Sequence, residues 1–455
     1  MMIASSDCCR TLLFALAAVF IAQSSLCAQE TATDPAPEPL QIREADALQP
    51  SPVEASPSDD AQSADPKPGK TQTNNIESRI YPLCPPPHFC QPDPRIYRSV
   101  LLGRLWVEGE YLAWASRGTE LPTLLTTSRA SAAADAAGVL GEPGTRTLFG
   151  NEKVHDTLRS GFGLTIGYWL TPEQLAGFEA RLLGVQGEDI DFRIDSDDRS
   201  ILARPIIDRD TGEDASILVA FPGLQVGDVR IRSDMQLFGA EALYREAIGC
   251  DSQFRLDYVA GYRYLRLFDR LRYEDAFLSL DAASGFDIDS VVFRSDDLKS
   301  ENEFHGGELG LISRWSNQCW AVQLLGKVAF GGTRTTTTID GRTVEVLPTD
   351  ETNSFAGGGL ALPSNIGEHS QTKYSAISEL GVRLEYSYTP QLRFMLGYNY
   401  LHWSSVARVS DSIDTTIDRS QLPPDTDRSA RRPDLDFHNT TFWTHGLSAG
   451  VHYDF

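Results

Sequence analysis

The sequence predicts an all-β protein, a transmembrane antiparallel up-and-down β-barrel of ten strands, with twelve strands as the alternative. Three observations support this fold class. Apolar and polar residues alternate along ten segments, short turns and long polar loops alternate between those segments, and an export signal precedes them all. Alternation places the apolar side chains on one face of each strand, which suits a sheet with lipid on one side.

The most regular hairpin covers residues 373–403. Every second residue from Tyr374 to Tyr388 is aromatic, aliphatic or small, and the residues between them are mostly charged or polar. Residues 389–391 turn the chain, after which the alternation resumes as far as Tyr400. A strand of a soluble sandwich would also alternate, but such strands average about 5–6 residues, whereas a membrane strand needs about 9–11. The length of the two arms and the single charged face therefore favour a barrel.

The other eight strands and their connections follow one rhythm. The strands are predicted at residues 105–113, 162–170, 178–182, 238–245, 254–264, 305–315, 322–330 and 443–455. Short turns are predicted at residues 171–177, 247–253, 316–319 and 389–391, and long loops at residues 116–159, 187–230, 269–302, 331–372 and 404–441. A sheet in lipid must close, because an open edge would leave backbone groups without hydrogen-bond partners. Twelve strands would result if a hairpin predicted at residues 200–221 joined the sheet.

The chain is expected to have three parts. Residues 1–28 resemble a secretory signal peptide, since Arg10 precedes a short apolar run that is followed by small residues. Residues 29–103 are rich in Pro, Ala, Ser, Asp and Glu, a composition typical of a disordered linker. Residues 104–455 form the barrel. No stretch after the signal peptide is apolar for the roughly 18 residues of a spanning helix.

Charge and cysteine content limit the partners and cofactors. A net charge of −23 argues against nucleic acid as a partner. Cys84, His88 and Cys90 offer three metal ligands without a fourth, so a local disulfide or free thiols is favoured over a metal, and their role stays open. Cys250 and Cys319 both fall in short turns on the periplasmic side. An oxidising compartment favours a disulfide between them, whereas a starting separation of roughly 10 Å favours two thiols.

Several stretches resemble one known family. They are WVEGEYLAWA, GVLGEPGTRTLFG, RSGFGLTIGYWL, LARPIID, LVAFPG, AGYRYLRL, NEFHGGELGL, LLGKVAF, LALPSNIG, ELGVRLEYSYTPQLRFMLGYNYLHWSSVAR and FWTHGLSAGVHYDF. With these stretches, residues 104–455 resemble the beta-barrel porin seven family. The resemblance implies an outer-membrane barrel of a Gram-negative-type envelope. It implies no catalytic residue and no cofactor.

Charged residues share the face that is predicted to point into the barrel. These lumen-lining candidates are Glu108, Glu110, Glu179, Arg181, Glu241, Arg245, Arg255, Asp257, Arg263, Glu308, Arg314, Lys327, Glu379, Arg383, Glu385 and Arg393. They could line an ion-selective pore. A barrel of about 8 strands is just filled by side chains, however, whereas about 16–18 strands leave a channel, so ten strands favour a filled or narrow lumen with paired charges.

The opposite face is expected to meet lipid. Its aliphatic members include Leu324, Leu380, Val382, Leu384, Leu396 and Val451. Aromatic residues at the strand ends read as interface girdles, and they are Tyr262, Tyr264, Tyr386, Tyr388, Tyr398, Tyr400, Trp443, Tyr453 and Phe455. Tyr453 and Phe455 end the last strand on the lipid face, where a terminal aromatic would serve as the signal for the outer-membrane assembly machinery.

Three functions are compatible with such a barrel. The first is a porin that lets small solutes or ions pass passively, and the alternative is a non-conducting structural or adhesive barrel that displays its long loops. A hydrolase is disfavoured, because His305 with Glu303, and His402 with Ser404 and Ser405, match no catalytic motif. The sequence therefore predicts a barrel that is not an enzyme and binds no cofactor, and it leaves the solute and the oligomeric state open.

Overall fold

Ten antiparallel strands form a closed ring, which confirms ten strands rather than twelve. The computed structural model describes residues 102–187, 189–424 and 431–455. The ring strands are β1 (Leu105–Ser116), β2 (Leu158–Trp169), β3 (Ala176–Val185), β4 (Gln225–Cys250), β5 (Phe254–Ser279), β6 (Val291–Asn317), β7 (Trp320–Val346), β8 (Gly367–Ser387), β9 (Leu392–Val406) and β10 (Thr440–Asp454). Each strand pairs with its neighbours in the chain. The ring closes where β10 pairs with β1, from Trp106 opposite Asp454 to Ser116 opposite Thr444. The predicted signal peptide, nearly all of the predicted linker and the motif around Cys84 lie outside the described residues.

The four central strands are much longer than a bilayer requires. Strands β4 to β7 contain 26 or 27 residues each, whereas about 9–11 residues cross a membrane. The remaining part, about 16 residues in each strand, rises beyond the membrane by about 50 Å along the strand. The predicted loops at residues 269–302 and 331–372 are therefore largely wrong. Their polar residues alternate with buried ones and continue the strands, because one face of this sheet is covered by other parts of the chain.

The connections at the long-loop end fold together over these strand ends. Their short strands are Thr119–Leu121, Leu125–Thr127, Arg146–Phe149, Glu152–Val154, Ile190–Asp195, Leu202–Asp208, Asp214–Ala220, Thr352–Ala356 and Thr416–Ile417, and their 3-10 helices are Ala282–Ser284, Val409–Ser412 and Arg419–Gln421. A further 3-10 helix, Leu102–Arg104, precedes β1 at the opposite end. The predicted hairpin at residues 200–221 is present, with Asp214 opposite Ile207. It belongs to a separate five-stranded sheet and not to the ring.

One apolar core joins these connections to the strand ends, and we call the whole assembly the outer cap. Its buried members include Leu125, Phe149, Leu202, Ile206, Val219, Val229, Ile231, Leu271, Tyr273, Leu298, Ile339, Leu360, Leu362 and Ile417. They come from four different connections and from β4, β5, β6 and β7. Since burial of each such side chain stabilises the fold by about 1.5–3 kcal/mol, the long loops form a packed body.

The outward face of the ring is apolar, as predicted. Val382, Leu384, Leu396 and Val451 are exposed, and the ring carries many further exposed aliphatic and aromatic side chains at outward positions. Among the described helices, none is long and apolar enough to cross a membrane.

The short turns gather at the other end of the ring. Cys250 ends β4, and Cys319 lies in the turn between β6 and β7. Both cysteines are disulfide-bonded, and they are the two cysteines within the described residues.

Candidate functional site

The interior of the barrel holds all sixteen charged residues that were predicted to face the lumen. Each of them is buried or half-buried, even though it lies on the polar face of its strand. They are Glu108, Glu110, Glu179, Arg181, Glu241, Arg245, Arg255, Asp257, Arg263, Glu308, Arg314, Lys327, Glu379, Arg383, Glu385 and Arg393. The structure brings them together in one layer of ion pairs, which we call the charged layer.

The centre of the charged layer is a cluster of three carboxylates and two cations. Oxygens of Glu241, Glu308 and Glu379 lie within 4.8 Å of one another. Arg263 contacts all three, at 3.2 Å from Glu241, 2.7 Å from Glu308 and 2.8 Å from Glu379. The ammonium of Lys327 also contacts all three, with 3.7 Å to Glu308 and 3.3 Å to Glu379.

This cluster has the oxygen ligands that a hard cation prefers. The Lys327 ammonium, however, already makes close contact with each carboxylate, and the Arg263 guanidinium does the same. A protein cation therefore takes the position that a metal ion would need. The donor set does not favour a metal here.

An ion pair spans the barrel at this level. Arg181 on β3 donates to Glu379 on β8 at 2.8 Å, and in a ring of ten these strands are five apart, on opposite walls. Arg181 also lies 3.6 Å from Glu110 on β1. Arg383 on β8 continues the chain of contacts to Glu110 and Glu108, at 2.8 Å from each. Side chains from opposite walls thus meet and divide the lumen.

The charges in this layer nearly balance. The sixteen predicted residues include eight carboxylates and eight cations, and the structure adds Asp454 and His452, which the sequence analysis missed. The His452 ring lies between two carboxylates, 3.4 Å from Glu108 and 3.3 Å from Asp454. Buried charges are tolerated only when paired, because the desolvation cost of a lone ion is several kcal/mol. The layer satisfies that condition.

An apolar layer lies directly beyond the charged layer, toward the outer cap. Its buried members are Leu112, Trp114, Leu183, Val185, Met235, Leu237, Leu265, Leu267, Phe304, Ala329, Ile377, Leu401, Trp403, Val406 and Phe442. The rings of Phe304 on β6 and Trp403 on β9 meet edge to face, with centroids 6.2 Å apart. The sequence analysis missed this layer. Alternate residues of a strand share one face, so Leu112 and Trp114 lie on the same inward face of β1 as Glu108 and Glu110. This alternation could have revealed the layer from the sequence.

Inside the outer cap, a buried arginine ties two distant motifs together. Arg204 of LARPIID donates to Asp296 at 2.5 Å and lies 3.7 Å above the Tyr273 ring. Asp296 also accepts the backbone N–H groups of Gly359, Leu360 and Ala361, of which the last two begin LALPSNIG. A Cβ at Gly359 would lie 1.9 Å from the Arg204 guanidinium. Burial opposes the charge of Arg204, but Asp296, Tyr273 and Asp275 together outweigh this effect and raise the pKa of the guanidinium.

The histidines considered for catalysis are not assembled into a catalytic group. His305 lies on the outward face, where its Nδ1 is 2.5 Å from the Tyr262 hydroxyl. Glu303 accepts a hydrogen bond from Tyr264. Ser404 accepts from the backbone N–H of Ala376. His402 is half-buried on β9.

A closed antiparallel ring with an apolar outward face and an ion-paired interior defines the class, a membrane-spanning β-barrel of the outer-membrane type. The chain belongs to the family described as Putative beta barrel porin-7 (BBP7), whose model matches residues 106–455. No curated protein matches the chain.

Solved structures show only distant similarity to this chain. The outer membrane protease OmpT from Escherichia coli is 9% identical, covers 78% of this chain and 97% of its own, and gives a TM-score of 0.35. A Pseudomonas aeruginosa FadL homologue is 8% identical, with 77% and 90% coverage and a TM-score of 0.21. The P. putida toluene transporter TodX is 10% identical, with 77% and 90% coverage and a TM-score of 0.19. Scores this low carry no argument about function.

Proposed function

We propose that this porin-family barrel is closed to solutes and serves as a membrane anchor that displays the outer cap. The observation that carries the proposal is the 2.8 Å contact between Arg181 and Glu379, which joins opposite walls of the ring. Above it, the apolar layer fills the lumen with aromatic and aliphatic side chains. An ion would have to break buried ion pairs and then cross an apolar layer, and each step opposes its passage.

The outer cap supports a display role. Four connections and four long strands share one apolar core, so the cap presents a fixed surface. A barrel that only needed to close its ring would not require strands of 26 or 27 residues.

Passive passage of small solutes or ions is the second candidate function. The family description supports it, and so does a cavity of about 430 Å³ inside the barrel that reaches from the short-turn end to Lys327. Under this alternative the charged layer would rearrange to open a path.

Single-channel recording in planar bilayers tests the closed barrel. Purified full-length protein, with insertion verified by its heat-modifiable band, is expected to give no stable current steps across a series of KCl concentrations. Stable steps that grow with salt concentration would contradict the closed barrel and support passive passage.

We also propose that the chain resides in the outer membrane, that it is not an enzyme, and that its last strand is the signal for the outer-membrane assembly machinery. Family membership and the apolar outward face support the location. Tyr453 and Phe455 support the assembly signal, since both are exposed and their rings meet edge to face at 5.0 Å.

A further inference from the structure

One carboxylate lies on the face of the ring that otherwise meets lipid. Glu246 is at an outward position of β4, two residues after Tyr244 and two before the exposed Ile248. Across the sheet it lies opposite Ala176 on β3 and Tyr258 on β5. Strand β4 ends soon after it, so Glu246 lies near the short-turn end of the ring, among apolar and aromatic side chains.

Glu246 is an exception to the pattern of the outward face. In the described ring strands, the outward positions between the short turns and the outer aromatic residues, such as Tyr264 and Tyr374, otherwise carry aliphatic, aromatic, small or neutral polar side chains. A charge on the lipid-facing surface of a barrel costs free energy, and the cost is smallest near the interface. A cation that accompanied Glu246 would remove this cost.

Two tyrosines hold this carboxylate in place. The hydroxyls of Tyr244 and Tyr258 both donate to Oε2 of Glu246, at 2.7 and 2.8 Å. The two tyrosine rings lie 6.1 Å apart, and the Phe178 ring meets the Tyr244 ring edge to face at 5.5 Å. Hydrogen bonds to a charged acceptor are short and directional. The carboxylate is therefore fixed beside the rings, and among the described residues nothing donates to its other oxygen, Oε1.

The protein itself supplies no cation to Glu246 within the part of the chain that the structure describes. No lysine, arginine or histidine nitrogen of residues 102–187, 189–424 and 431–455 lies within 4.0 Å of its carboxylate. The adjacent Arg245 points into the ring, where it pairs with Asp257 at 2.6 Å and with Glu179 at 3.4 Å. A positive partner for Glu246 would therefore come from outside the described chain.

A carboxylate beside aromatic rings is a combination that binds ammonium groups, because ionic attraction adds to the attraction between a cation and the ring faces. The exposed Leu175 and Ile248 flank Glu246, since the Leu175 carbonyl accepts the backbone N–H of Ala247. A water-soluble amine would have to pass these apolar side chains, whereas the headgroup of a membrane lipid already resides at this depth.

We propose that Glu246, Tyr244 and Tyr258 bind the primary ammonium of a phospholipid headgroup in the leaflet at the short-turn end. The ammonium donates to the carboxylate and lies against the tyrosine rings. The site is on the outside of the ring, so it stands apart from the proposed closed barrel and acts whether or not the barrel conducts.

Native mass spectrometry of the full-length protein tests this site. The protein is released from detergent micelles that contain equal amounts of phosphatidylethanolamine, whose headgroup carries a primary ammonium, and phosphatidylglycerol, whose headgroup carries none. Adducts with phosphatidylethanolamine should exceed those with phosphatidylglycerol by about threefold or more. Equal adducts with the two lipids would overturn the proposal. Excess water-soluble glycerophosphoethanolamine should leave the lipid adducts in place, and displacement by it would assign the site to a soluble amine and overturn the lipid assignment.

One substitution locates the site, and a matched one controls for charge. Glu246→Gln should lower the phosphatidylethanolamine adduct by about threefold, because the ammonium loses its ionic partner. Glu120→Gln should leave it unchanged, since Glu120 pairs with Lys153 at 3.3 Å in the outer cap. Heat-modifiability verifies that each variant is folded. If Glu246→Gln only raised the phosphatidylglycerol adduct, Glu246 would merely repel anionic lipid, and the ammonium site would be excluded.

Discussion

The stability of the barrel interior depends on the pairing of individual buried charges. Lys327 shows the principle most clearly, since its ammonium contacts three carboxylates while almost fully buried. A pair that is complete contributes little net stability, but a pair that loses one member leaves an uncompensated charge in a medium of low dielectric constant. The effects of substitution are therefore large and asymmetric.

Replacement of Lys327 by methionine is expected to destabilise the barrel by about 3–5 kcal/mol, because Glu241 and Glu308 would lose a buried cation. Urea unfolding in lipid vesicles, followed by tryptophan fluorescence, measures the change. Lys153→Met is the control, since Lys153 and Glu120 form an exposed pair 3.3 Å apart in the outer cap and an exposed pair contributes at most about 1 kcal/mol. Similar stability losses in both variants would contradict the role of the cluster.

His155 predicts how stability depends on pH. Its Nε2 lies 2.8 Å from the Ser233 hydroxyl in the outer cap, and burial, with the nearby Arg159 and Arg408 cations, lowers the pKa of the imidazole to about 3. The unfolded chain takes up this proton near pH 6.5. The stability that neutral His155 provides is therefore complete above about pH 6.5 and is lost as the pH falls from there toward 3.

The measurement is the urea midpoint of cap unfolding at pH 7.5 and at pH 5. His155→Gln should reduce the difference between the two midpoints. The exposed His438, 3.6 Å from Asp436, provides the control, and His438→Gln should leave that difference unchanged. An unaltered pH dependence in His155→Gln would exclude His155 as its source.

At the scale of elements, each ring strand has an outward apolar face and an inward face. The longest strands also have one part that crosses the membrane and another that extends beyond it. Alternation in the sequence was sufficient to place all ten strands and to assign the sixteen interior charges. It could not find the end of β5 or β6, because polar residues such as Arg270 and Asp297 continue the alternation above the membrane. The contact between Arg204 and Asp296 could also not be predicted from the sequence, since it joins two segments that are 92 residues apart.

The apolar layer was missed for a related reason. Trp114 and Ala113 are both apolar although they lie on opposite faces of β1, so periodicity alone does not say which of them meets lipid. Only the parity set by Glu108 and Glu110 assigns Trp114 to the interior, where it is fully buried. The inward face of a strand is thus predicted better by counting alternate positions from its charged residues than by following its apolar residues.

Strand β8 predicts where a charge is tolerated. Val382 is exposed on the outward face, so Val382→Arg should cost about 2–4 kcal/mol near the middle of the bilayer. Thr336→Arg, on the outward side of β7 beyond the membrane, should cost much less. Urea unfolding in vesicles compares the two variants, and equal costs would place Val382 outside the lipid.

Strand β10 predicts a defect in assembly. Deletion of Phe455 removes an exposed aromatic ring and its backbone N–H bond to Leu105. The yield of heat-modifiable protein in the membrane fraction should fall while export to the periplasm continues. Deletion of the exposed Leu158 side chain by Leu158→Ala is the control, because this residue begins β2 at the long-loop end. Normal yield without Phe455 would contradict the assembly signal.

At the scale of the whole molecule, the chain divides its interior by chemistry along one axis. A cavity lined by charged and apolar side chains lies at the short-turn end, the charged layer and the apolar layer fill the ring, and the outer cap has an apolar core of its own. The charged layer and the apolar layer each draw residues from most of the ring strands. Loss of one of these strands would therefore open both layers at once, which makes the barrel a single cooperative unit.

The pairing of β10 with β1 has a consequence for the order of events during folding. Trp106 and Asp454 are opposite each other in the ring, so this contact closes a loop of nearly the whole described chain. For a flexible chain of about 350 residues the closure entropy amounts to about 5 kcal/mol, and it must be overcome before any contact between the two strands compensates it. Such distant contacts make folding slow. We therefore expect the seam between the first and last strands to form last, and until then one edge of each of these two strands stays unpaired.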